Sequence, residues 1–179
     1  DVGDEVSLPT LFQTLLLVTA ALVLVVGGIR ARRRAEAGGG WSFLAAVMLG
    51  LAVDESVSVH ERLGSALRDA LDTAGVLYYI WVVPALVFVA VVAVVQLGWL
   101  RRLPARTRTL VVLAGAVYVL GAAGFELLAA TGDEADGTAT LLSVSLSAAE
   151  ELAEMTGMSI FVVAILDHLR GERFTVRVH

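Results

Sequence analysis

Eight ionisable side chains stand out for where they fall. Asp54, Glu55, His60 and Glu61 lie in "LAVDESVSVHERLG", Glu126 in "GAAGFELLAA", and Glu150, Glu151 and Glu154 in "SAAEELAEMTG", each inside or at the edge of an apolar run. An acid near the middle of a bilayer costs on the order of 2.5–3.5 kcal/mol even on the lenient insertion scale. Such groups must therefore share protons, bind a cation or line water. Oxygen-rich donors with one imidazole favour Mn, Fe, Ca or Mg over Cu, with Zn admitted. On that reading Asp54, His60, Glu61, Glu126, Glu150, Glu151 and Glu154 are candidate ligands to one or two divalent metal ions, Fe, Mn or Zn ahead of Cu, and Glu55 is the candidate general base.

Familiar metal signatures fit only in part. Di-iron bundles carry a Glu-x-x-His pair on each of two helices, and no such pair occurs here. "HERLG" has the first His and the Glu of H-E-x-x-H but lacks its second His, which excludes a zincin. The bland alternative is a protonated, mutually hydrogen-bonded polar core that fixes helix packing, with His60 pairing to a nearby acid. No P-loop, G-x-S-x-G elbow or Ser/His/Asp arrangement is present.

The elements that must position these groups follow from composition. Of 179 residues 58% are hydrophobic, and the mean hydropathy is +0.81, against about 45–50% apolar in soluble domains. The chain reads as a single all-α integral membrane bundle with five transmembrane helices, at about 8–29, 41–71, 77–100, 110–130 and 138–169. It has no cysteine, which excludes disulfides, thiolate metal sites and Cys nucleophiles. Every one of its 13 basic residues is arginine, so a Schiff-base lysine is excluded as well. It begins at Asp1 rather than Met, as expected if a leader or tag has been removed.

Arginine placement sets the expected direction. Arg30, Arg32, Arg33 and Arg34, then Arg101, Arg102, Arg106 and Arg108, then Arg170, Arg173 and Arg177 fall on one side, while Asp1, Asp4, Glu5, Asp133, Glu134 and Asp136 fall on the other. The positive-inside rule puts the N terminus outside and the C terminus in the cytoplasm, in a bacterial cytoplasmic membrane. With those arginines assigned to topology no basic face is left for nucleic acid. Membrane lipids are the expected surroundings, and the Val-rich third span would suit lipid, a second copy or a partner membrane subunit.

Depth follows from a rise of about 1.5 Å per residue, which lifts Asp54 and Glu55 roughly 20 Å, and Glu126, Glu150, Glu151, Glu154 and Gln13 roughly 18–24 Å, above the cytoplasmic boundary. At about 100° per residue, Glu150, Glu151 and Glu154 share an arc with Ser147, Gly157 and Met158. Helix two is less tidy. Asp54, Ser58 and Glu61 share a face, Glu55 lies with Arg62, and His60 stands about 100° or more from either set. On helix four, Glu126 shares a face with Gly115, Ala122 and Ala123, small residues that permit close approach.

"DESVSVHE" on helix two together with "EELAEMTG" on helix five resembles a group of uncharacterised bacterial multi-pass membrane proteins. The resemblance covers most of the chain and implies that the two acidic segments work together. It carries no function. Three functions are thus expected of the residues: a membrane metalloprotein acting on a lipid or other apolar substrate, a proton- or cation-translocating component, or an accessory subunit of a membrane complex.

Overall fold

The computed structural model describes residues 8–71, 80–129 and 141–171. These are helical, and no strand occurs among them. Helix α1 spans Leu8–Arg33, α2 Gly39–Val57, α3 Val59–Leu71, α4 Val82–Arg102, α5 Ala105–Val119, α6 Phe125–Ala129 and α7 Leu141–Gly171, with a π-helical turn over Leu120–Gly124 joining α5 to α6. Five stretches are long and apolar enough to cross a membrane: Leu8–Arg33, Gly39–Val57, Val82–Arg102, Ala105–Gly124 and Val144–Gly171.

Helix α1 is the centre of the packing, lying against α2 on one side and α7 on the other, while α5 packs on the far side of α7. Its inward face carries Gln13, Leu17, Ala20, Leu24 and Gly28, and its outward face exposes Leu11, Leu15, Leu22, Val25 and Ile29. A helix apolar on both faces fits burial against protein on one side and against lipid on the other. Helix α4 leans mainly on α2 and exposes Val83, Val87, Val91, Val94 and Val95.

Small residues bring the backbones together. A Cβ at Gly27 would sit 2.5 Å from the Trp41 ring, and one at Gly157 would sit 2.8 Å from both the Ala114 carbonyl oxygen and the Tyr118 amide nitrogen. Where lipid is as apolar as leucine, such close contact and interhelical polar bonds hold helices together better than hydrophobicity does. One of those bonds runs from Gln96 Nε2 on α4 to the Gly40 carbonyl on α2, at 2.9 Å. The apolar core is concentrated toward the arginine-rich end, around Leu24, Trp41, Leu44, Trp99, Phe161 and Ile165.

Two local features depart from straight helices. The single helix expected over 41–71 is divided at Ser58, which adopts φ 49° and ψ 49°. The left-handed region costs a non-glycine residue roughly 1–2 kcal/mol. The π-helical turn inserts a residue into the helix-four ladder, so the face computed for Glu126 at uniform helical pitch no longer holds beyond Gly124.

Candidate functional site

The break at Ser58 builds the site's best-defined element. With α2 ended at Val57 and α3 begun at Val59 across the left-handed Ser58, the Asp54 carboxylate accepts two hydrogen bonds from His60. The His60 backbone N–H donates to Asp54 Oδ1 at 2.9 Å, and Nδ1 of its ring lies 2.8 Å from Oδ2. The first bond satisfies an amide in the opening turn of α3, which has no intrahelical acceptor. The second fixes the ring: an ionised carboxylate accepts a hydrogen bond from Nδ1–H, so the proton that the ring gains or loses is the one on Nε2. Both side chains are partly buried. A uniform helix would hold them on different faces, so their meeting corrects the wheel that set His60 apart from Asp54.

His60 rests on Trp81. The ring centroids are 4.6 Å apart and tilted by 47°, near enough for the indole face to favour an imidazolium. Gly64, one turn beyond His60, makes room for this: a Cβ there would meet Trp81 Cδ1 at 3.2 Å. The Trp81 indole nitrogen is buried without a hydrogen-bond partner.

Tyr118 marks where the other helices join. The acids acting electrostatically on its hydroxyl are, in order, Glu154 of α7, Glu55 of α2 and Asp54 of α2, and Gln13 of α1 lies beside it. The approach of α5 to α7 at Gly157 and Gly121 is what sets Tyr118 against Glu154. A Cβ at Gly121 would meet Ala153 at 2.9 Å and the Glu150 carbonyl oxygen at 3.3 Å. Gln13 is 2% exposed, and its amide lies beside the Tyr118 hydroxyl without good hydrogen-bond geometry. A buried amide without a good partner costs about 1–3 kcal/mol. Next to it, Thr14 Oγ1 reaches Ser56 Oγ at 3.4 Å, and Ser56 donates to the Ala52 carbonyl at 2.7 Å.

The candidates divide accordingly. Asp54 and His60 are in contact across the α2–α3 break, Glu154 and Glu55 act on Tyr118 only electrostatically, and Glu150 is partly buried one turn from Glu154. Glu151 is exposed: it lies six residues from Gly157, about 120° away from the line along which α7 meets α5. The side chains of Glu61 and Glu126 lie outside the described residues. Among the described residues no three His, Asp or Glu side chains form a group that could hold a metal ion.

Gln13 stood out in the sequence only by depth. Tyr118 was missed because it does not read as an intramembrane charge. Its signal was position, three residues after Gly115 and four before Ala122 on the small-residue face of its helix.

A family model described as a domain of unknown function, DUF8692, matches residues 1–169. No curated protein and no solved structure matches the chain.

Proposed function

We propose, for a chain that belongs to the DUF8692 family and takes no function from it, a multi-pass membrane protein that exchanges protons at the Asp54–His60 pair. The arginine-rich end faces the cytoplasm, the N terminus faces outward, and the pair lies toward the outer side. The observation that carries this reading is the pair of hydrogen bonds that joins one histidine to one carboxylate. Asp54 stabilises the imidazolium, Trp81 supports it, and Nε2 passes the proton to or from neighbours. Glu55 and Glu154 extend the set of groups that can accept it.

Toward the cytoplasm the polar layer gives way to the packed apolar core around Leu24, Trp41 and Ile165. The site therefore loads from the outer side and releases inward only when that core opens. Its protonation changes the charge buried among α1, α2, α5 and α7, and that change is what opens the inward path.

A second reading keeps the divalent metal ion. One observation favours it: a carboxylate held on Nδ1 is how metal-binding histidines are oriented, with Nε2 turned to the ion. Glu61, Glu126, Glu150 and Glu154 would supply the oxygens.

One pair of measurements separates the readings. Proteoliposomes carrying an internal pH dye should acidify after an external acid step, with the rate reduced at least tenfold by Asp54→Asn and by His60→Gln. Native flux equal to that of empty liposomes overturns the proton reading. Stoichiometric metal in gently purified protein, lost in the same variants, would establish the metal reading instead.

A further inference from the structure

A second site lies at the opposite end of the bundle, where no acid cluster draws attention to it. Between the last turns of α1, α4 and α7 and the start of α2 is a cavity of about 520 Å³. That is within the roughly 300–1,000 Å³ typical of small-molecule sites. Its polar lining is Arg34, Arg102, His168 and Glu36, and its aromatic walls are Trp41 and Trp99.

The wall is built and rigid. Trp41 and Trp99 meet edge to face at 5.1 Å, and His168 stacks on Trp41 at 5.8 Å with the planes 14° apart. Both indoles are buried, and α2 approaches them closely, since a Cβ at Gly40 would sit 2.6 Å from Trp99 Cβ.

The electrostatics select the ligand. Arg34, Arg102 and His168 line the cavity together with one carboxylate, Glu36. Helix α2 also opens here, flanked by the lining residues Ala37 and Trp41, and no side chain caps its N terminus at Gly38. The N-terminal amides of a helix and guanidinium forks are the two devices proteins use most for oxyanions.

We propose that this cavity binds a phosphate group, held between Arg34 and Arg102 with His168 and the α2 N terminus at its floor. If the arginine-rich end lies at the cytoplasmic surface, the source at hand is the phosphodiester headgroup of an anionic phospholipid, for which basic pockets between helices are suited. A soluble phosphate would use the same groups.

The test is thermal unfolding of the full chain in neutral detergent, with phosphatidylglycerol, phosphatidylcholine or inorganic phosphate titrated in. A ligand of the folded state raises Tm in a saturable way. The proposal expects phosphatidylglycerol to raise Tm and phosphatidylcholine to fail, with Arg34→Gln/Arg102→Gln weakening the half-saturation concentration at least tenfold. Arg33→Gln, an exposed arginine outside the cavity lining, should leave it unchanged. Saturation by inorganic phosphate at the same concentration identifies a soluble phosphate as the source; its failure identifies the lipid. No shift with either ligand, or equal shifts in the native protein and the double variant, overturns the proposal.

Discussion

His60 binds Asp54 through its backbone and its ring at once, at 2.9 and 2.8 Å, across the only described non-glycine residue besides Ala35 with positive φ. The chain spends local strain at Ser58 to bring together two groups that a regular helix keeps apart. Strain retained beside a titratable pair is a common mark of function.

Ser58 should therefore discriminate between the fold and the pair. Ser58→Gly suits the left-handed conformation and should leave Tm unchanged or raise stability by up to about 1 kcal/mol. Ser58→Val, β-branched and poorly tolerated there, should lose about 1–2 kcal/mol and disrupt the His60 bonds. Thermal unfolding of both variants checks the difference; equal stability would mean the break is not where the energy is stored.

Helix contact at Gly157 makes a sharper steric prediction. An added methyl would lie 2.8 Å from backbone atoms of α5, so Gly157→Ala should cost about 1–3 kcal/mol by forcing α5 from α7. At Gly115 nothing lies within 4 Å of the new Cβ. Gly115→Ala should be neutral, or stabilising by up to about 1 kcal/mol through helix propensity. Denaturation midpoints of the two alanine variants provide the comparison.

Gln13 tests whether the polar layer is kept for function at the expense of stability. Its amide is buried with only the Tyr118 hydroxyl beside it and in poor geometry, so Gln13→Met, apolar and similar in volume, should stabilise the protein by about 1 kcal/mol. Proton flux in proteoliposomes should fall in the same variant. A less stable variant with unaltered flux would make Gln13 a packing residue.

Much of the helical plan was legible because it rests on apolar runs, which composition alone exposes. Of the polar positions found by counting residues along each helix, Glu154, Glu55 and Asp54 act electrostatically on Tyr118 and Gln13 lies beside it. Angles were less secure. "DESVSVHE" contains no glycine, proline or asparagine to announce a break, so the left-handed Ser58 was invisible and His60 was turned away from Asp54. The π-helical turn is equally silent, because "LGAAG" reads as an ordinary small-residue helix. The basic cavity escaped notice for another reason: its arginines were already explained by topology.

The most direct measurement is a pH titration of Trp81 emission, taken as the difference between the native protein and Trp81→Phe, because a neighbouring imidazolium quenches indole. Protonation of His60 should quench this signal as pH falls, and His60→Gln should abolish the transition. Asp54→Asn removes the charge that favours the imidazolium, so the transition should move to lower pH. A flat native signal, or a transition unmoved by Asp54→Asn, would contradict proton exchange at this pair.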